Sequence, residues 1–341
     1  MGIVWFILIL GAIILVHEFG HFIFSKLFKV YVYEFSLGMG PKLLHYKKKN
    51  GETEYCLRLI PIGGFVSLAG EDADDNSKIP DDRKLYKKPV WQRFIIMVAG
   101  ATFNFIFAFV VLLIMAGVYG EPNQAPVVGS LVEDSPAVTA GLKVGDTIIS
   151  INDQEISKWN EISVHVQNSK GETMDVVVKD NNGNIKEIKL TADETENKQY
   201  KIGIGQDRLK KDFISALSYA GKELLNLFKI MIFTLEQLFT GKVGVKDLSG
   251  PVGIYTVVSD QAKQGFESLM YLTAYLSVNV GVINLLPFPA FDGGRVLFLI
   301  IEKIRRKPVK AKTEAIVNSI GFCILILLMI VVTIGDIIKL F

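Results

Sequence analysis

The chain has 341 residues, half of them hydrophobic and 21% charged, with a formal net charge of +2. That near-neutral balance, with no basic face interleaved with aromatics, argues against a nucleic-acid partner. Two cysteines, Cys56 in a basic loop and Cys323 in a long apolar run, imply no disulfide framework. The apolar residues fall in long blocks separated by polar ones, which is the pattern of a polytopic α-helical membrane protein.

The first block, Ile3–Phe24, is long enough to span a bilayer and contains His17-Glu18-Phe19-Gly20-His21. No basic residue precedes it, and Lys26 and Lys29 follow, so it reads as a permanent anchor with its N-terminus outside rather than a cleaved signal. Residues 31–70 alternate like strands, with a turn at Lys49-Asn50-Gly51-Glu52 and the pair Gly63-Gly64. A membrane-associated β-hairpin region is expected there, followed by a solvated loop at 71–88. Phe94–Val118 is a second span.

The region at 125–205 is polar and turn-rich. Met174–Lys179 and Ile185–Leu190 flank Asp180-Asn181-Asn182-Gly183 as a hairpin, and Asn160–Val166 reads as a short helix. Phe213–Phe239 carries Lys222, Glu223, Lys229 and Glu236, with polar residues clustered at 222, 226, 229, 236 and 237, which predicts an amphipathic helix at the membrane interface rather than a span. Leu269–Leu286 is a less pure span that runs into Pro287 and Pro289, and Ile316–Ile334 is the last. Four spans put both basic loops, 26–93 and 303–312, on the cytoplasmic side, as the positive-inside rule requires. They also put the N-terminus and the 125–205 region outside.

Ionisable residues at membrane depth are functional candidates by default. His17 and His21, four apart, present both imidazoles on one helix face, the spacing of two ligands of a tetrahedral zinc. Glu18, the next residue, is placed to act as general base. His17 lies roughly 21 Å along the helix from Ile3, nearer the cytoplasmic end. A catalytic zinc requires a third protein ligand from another span. Asp292, in Asn284-Leu285-Leu286-Pro287-Phe288-Pro289-Ala290-Phe291-Asp292-Gly293-Gly294, is the sole carboxylate between Glu267 and Glu302. Its spacing alone serves equally a zinc ligand and a cap on the following helix.

The HEFGH and NLLPFPAFDGG segments together resemble the site-2 protease family of intramembrane zinc metalloproteases. Ser135-Pro136-Ala137 and Ala140-Gly141-Leu142-Lys143-Val144-Gly145-Asp146 resemble part of a bacterial PDZ domain. One such insert between the second and third spans is similar to the bacterial regulated-intramembrane-proteolysis branch. Phe291 stands where the family often has Leu and Ala101 where it often has Pro.

The resemblance implies one zinc per chain, held by His17, His21 and Asp292, with Glu18 as base. It implies that Asn284, Pro287 and Pro289 position substrate beside the site, and that Gly63 and Gly64 belong to a β element holding substrate as an added strand. Expected substrates are single-pass membrane proteins in the plasma membrane, such as pre-trimmed anti-sigma factors or remnant signal peptides. The PDZ-like insert would bind a peptide or filter by size. The rival reading is a non-catalytic membrane scaffold presenting that insert. The expected organisation is a first membrane half at 1–120, an extracytoplasmic PDZ-like domain at 121–208, an interfacial helix and linker at 209–265, and a second membrane half at 266–341.

Overall fold

The computed structural model describes residues 1–71, 79–195, 199–210, 212–244 and 248–340. Chain contacts divide it into two compact units, one made of residues 1–115 with 220–341 and the other of 116–219. The centre of the expected solvated loop, 72–78, lies outside the described residues.

In the first unit, helix α1 (Gly2–Leu27) leads into β1 (Val32–Lys47) and β2 (Glu54–Leu68), and then α2 (Val90–Tyr119). The two strands are longer than the alternation alone indicates, because each folds back on the other. Lys42 to Lys47 pair antiparallel with Arg58 to Glu54, forming the expected hairpin. Val32 to Leu37 pair with Leu68 to Gly64 on one side, while Glu34 to Leu37 also match Glu54 to Leu57. The segment 64–68 therefore pairs on one side only among the described pairings, as an edge strand. Cys56 sits buried in β2 rather than in a loop, and both cysteines are free.

The hairpin base is tied to the end of α1 by Glu52, which accepts from Lys26 at 2.5 Å and Arg83 at 2.6 Å. Partial burial opposes ionisation of Glu52, but the two cations outweigh it and hold the carboxyl below its ordinary value. Val30, Val32, Val66, Leu68, Leu85, Ile96, Met97 and Leu299 form one apolar cluster under the sheet.

The second unit contains β3 (Glu121–Pro122), β4 (Val128–Leu131), α3 (Pro136–Thr139), β5 (Thr147–Ile151), β6 (Gln154–Glu155), α4 (Trp159–Asn168), β7 (Thr173–Lys179) and β8 (Ile185–Thr191). Short strands β9 (Asp193–Glu194), β10 (Tyr200–Lys201), β11 (Ile204–Gln206) and β12 (Arg208–Leu209) complete it. Its main sheet has the order β6-β5-β7-β8, with the expected β7–β8 hairpin closed at Lys179↔Ile185. Met174, Val176 and Val178 alternate inward from β7 against Ile148, Ile151, Ile162 and Val166. This is an inserted α+β module with its own core.

The chain then returns through α5 (Phe213–Phe239), α6 (Pro251–Gln264), α7 (Phe266–Leu285), α8 (Asp292–Arg305) and α9 (Ala311–Leu340). Four described helices are long and apolar enough to cross a membrane: α1, α2, α7 and α9. The protein is a multi-pass membrane protein, and α5, with its charged face, is not among those four.

Phe6, Ile9 and Ile13 of α1 pack with Val258 of α6 and Leu269 and Leu272 of α7. Lipid tails are as apolar as these side chains, so close packing and polar contacts must hold the helices together. One such contact is buried Asp336 of α9, which accepts from the N–H groups of Gly250 and Gly253, each at 2.8 Å, and so caps α6.

Candidate metal centre

The helical spacing of α1 brings the two imidazoles together, with His17 Nε2 3.2 Å from His21 Nε2. The third group arrives from a break between helices. The α7 helix ends at Leu285, where Pro287 and Pro289 cannot continue it. Ala290 adopts a left-handed φ of 77° to reverse the chain. Its N–H donates to Asn318 Oδ1 at 3.4 Å. Gly293 and Gly294 lie so close to the carbonyls of Leu285, Leu286 and Phe288 that a side chain would collide with them.

Asp292 is then the first residue of α8, whose N-cap is Phe291, so the capping role left open by the spacing is not the one observed. Its Oδ2 lies 3.1 Å from His17 Nε2 and 3.2 Å from His21 Nε2. The three ligand-type atoms form a nearly equilateral triangle. Ligands 2.0–2.1 Å from a tetrahedral zinc are about 3.3–3.4 Å apart, so the triangle has the size of one face of such a site. Both histidines are buried, and Asp292 Oδ2 is a buried acceptor with no hydrogen-bond donor among the described residues. A carboxylate left in that state is costly unless a cation joins it. The donor set fits zinc.

The outer partners fit the same reading. His21 Nδ1 lies 2.8 Å from the Ile96 carbonyl, which can only accept, so Nδ1 carries the proton and Nε2 is left for a metal. The Asn104 amide lies 3.2 Å from His17 Nδ1. A metal on His17 Nε2 puts the proton on Nδ1, which then requires an acceptor. An amide flip, which leaves the shape unchanged, supplies the oxygen. Ser277 Oγ of α7 donates to the Asn104 carbonyl at 2.8 Å, fixing α2 at this level. Asn104→Ala is expected to weaken zinc binding about 10- to 100-fold, as loss of such an orienting partner typically does. Competition against a chelator of known affinity measures it.

Glu18 is half-buried beside the strand edge. A Cβ added at Gly64 would lie 3.3 Å from Glu18 Cγ and 2.9 Å from the Ser36 carbonyl. Gly63, at φ 95°, is packed against Met39. Asn284 turns back on its own helix, donating to the Val280 carbonyl at 3.0 Å, and Pro289 is seated against Gly321 of α9.

Two further glycines are part of the site. A Cβ on Gly20 would come within 2.5 Å of the Ala99 carbonyl. One on Gly100 would collide with His21 Nε2 and sit 2.7 Å from His17 Cε1. The α2 backbone thus passes directly over the histidine pair. Small residues in otherwise bulky spans mark such approaches, a signal available in the sequence but not specific about the partner.

A second group of ligand-type side chains, Glu34, Glu54 and Cys56, lies in the hairpin. There Lys42 Nζ already stands 3.0 Å from Glu34 and 2.7 Å from Glu54, in the place a cation would take.

Residues 5–328 match peptidase family M50. The chain is 40% identical over 339 residues to a Clostridium acetobutylicum protein whose name is that of a zinc metalloprotease, covering 99% of this chain and 97% of that one. It is 33% identical over 420 residues to the regulator of sigma-W protease RasP of Bacillus subtilis, covering 99% of each. It is 32% identical to the zinc metalloprotease RasP of Bacillus licheniformis, again covering 99% of each. Among solved structures, a PDZ domain of an SdrC-like protein from Listeria innocua matches 26% of this chain and 97% of its own at 26% identity, with a TM-score of 0.22.

Proposed function

The chain belongs to peptidase family M50, the site-2 protease family of zinc metalloproteases, and we propose that it cuts transmembrane segments of single-pass membrane proteins at His17, Glu18, His21 and Asp292. The observation that carries this reading is the triangle of Nε2, Nε2 and Oδ2 atoms at 3.1–3.2 Å, with Glu18 on the same helix beside a strand edge. Pre-trimmed anti-sigma factors and remnant signal peptides are the substrates proposed, the first in keeping with the Bacillus subtilis relative's name.

The substrate's helix must unwind before its peptide bond is accessible. The segment 64–68, laddered on one side only among the described pairings, offers an edge on which an unwound stretch can be held as an added strand. Gly64 permits close approach there, and Asn284, Pro287 and Pro289 shape the opposite wall. His17, His21 and Asp292 would hold the zinc, which when bound supplies Lewis acidity and brings the pKa of water down to about 7. Glu18 takes a proton from the attacking water and delivers it to the leaving amide nitrogen. The proposed orientation is in the plasma membrane, with the N-terminus and the inserted module outside and the site nearer the cytoplasmic face. The module would dock a peptide or restrict substrate size.

Zinc content of the purified wild type, beside His21→Ala and Asp292→Asn, tests the centre, and cleavage of a transmembrane substrate in the same samples tests the chemistry. About one zinc per wild-type chain is expected, with strong loss in both variants. Full retention in Asp292→Asn removes that residue from the centre. A folded wild type without zinc overturns the peptidase reading in favour of a scaffold presenting its module.

A further inference from the structure

The α8 helix carries two ion pairs on one face, seven residues apart. Near its start, Arg295 Nη1 pairs with Glu71 Oε1, just past the end of β2. Near its end, Glu302 takes both terminal nitrogens of Arg93 in α2, at 2.9 and 2.5 Å. The first pair does more than anchor the helix. The other oxygen of Glu71 accepts from the Leu68 N–H at 3.3 Å, at the last residue of the edge strand. One carboxylate therefore terminates the strand that carries Gly64 and fastens the helix that begins with Asp292. Arg295 lies one turn after Asp292, and Leu68 lies four residues after Gly64, whose Cβ direction points at Glu18.

The strand lies against β1 and α8 is fastened to α2, but the Arg295–Glu71 pair joins the end of that strand to the start of that helix. Asp292 follows an irregular, proline-broken loop, and among the described pairings the strand edge is laddered on one side only. Both side chains are mostly withdrawn from solvent, Arg295 at 35% and Glu71 at 21% exposure. The pair is therefore less screened than an ordinary surface pair.

We propose that Arg295, through Glu71, is a positioning residue that keeps the strand edge and Asp292 in common register, and so determines which peptide bond of a strand-held substrate is cut. The inference rests on the peptidase reading above. The pair includes none of the proposed metal ligands. It sets the distance between the place where substrate is gripped and the place where it is hydrolysed, and misplacement on the order of 1 Å is enough to cost about a hundredfold in rate.

The test compares wild type, Arg295→Gln, Arg295→Lys and Glu302→Gln, all as full chains. Products of one transmembrane substrate are mapped by mass spectrometry, with zinc content measured alongside. The wild-type products report on the peptidase reading itself, and the differences between variants report on the pair. Arg295→Gln is expected to keep its zinc, spread cleavage from one bond to its neighbours and lose about ten- to a hundredfold in kcat at the original bond. Arg295→Lys, still able to reach Glu71, should restore the single bond. Glu302→Gln, which loosens α8 from α2 but not from the strand, should keep the wild-type product pattern. An unchanged product and rate in Arg295→Gln overturns the inference. So does loss of zinc in Arg295→Gln, which would make the pair a support of the metal centre alone. Equal spreading in Glu302→Gln overturns it too, because the effect would then belong to α8 and not to the strand.

Discussion

Glu18→Gln leaves zinc in place and reduces cleavage by about 10²–10⁴-fold, the contribution of a positioned proton-transfer group. The substitution preserves the size of the side chain and its packing beside Gly64, so the helix and its two histidines are undisturbed. What it removes is the one group proposed to carry a proton from water to the leaving nitrogen. The histidines cannot replace it. His21 Nδ1 is engaged by the Ile96 carbonyl, His17 Nδ1 faces Asn104, and both Nε2 atoms point at Asp292. Zinc analysis and a cleavage time course on the same preparation separate the two effects. Activity within tenfold of wild type would show that the base is elsewhere. Concurrent loss of zinc would assign Glu18 to the metal shell instead.

Gly100→Ala should strip the centre of its metal although alanine is the better helix former. The added methyl collides with His21 Nε2 and presses on the His17 ring at 2.7 and 2.8 Å. Withdrawal of α2 is resisted because α2 is also held at Ala99, whose carbonyl sits against Gly20, and at Ile96 and Asn104. The imidazoles must turn away, and their Nε2 atoms leave the triangle. Overpacking of this kind costs about 1–3 kcal/mol in fold stability, and the loss of zinc should be at least tenfold. The control is Gly117→Ala, on the same helix with nothing within 4 Å of the added carbon. There the change should be neutral or stabilising, by up to about 1 kcal/mol. Zinc content and thermal unfolding of both variants, with and without chelator, measure the difference. Full zinc in Gly100→Ala would mean that α2 can retreat from the histidines.

The parts of this centre that were legible in the sequence are those whose geometry is local. Two histidines four apart must share a helix face, a run of twenty apolar residues must span, and two prolines must end α7. Asp292 was a candidate because carboxylates are rare at that depth, but spacing left a capping role equally open. The fold carries Asp292 back across 270 intervening residues to lie beside the histidines of α1. The hairpin was legible from its turn, whereas the second pairing of 32–37 with 64–68 was not, because alternation names a face and not a partner. The partners of Gly100, Asn104 and Arg295 were hidden for a related reason. A glycine's role depends on what passes over it, and an ion pair between positions 71 and 295 has no sequence period. Gly250 and Gly253 are similar: their N–H groups are spoken for by Asp336, more than eighty residues later.

The division of the centre between α1 and the first residue of α8 also bears on how the protein is made. His21 is synthesised before Asp292, which follows 271 residues later. At about 5–20 residues per second the ribosome needs roughly 14–54 s to cover that distance. The inserted module is continuous in the chain, at 116–219, and can fold in the interval. The membrane unit around it cannot. Until Asp292 and the helix that it begins are made, the histidine pair lacks the third ligand proposed for the zinc. With the proposed ligand set, metal loading is a late step of assembly.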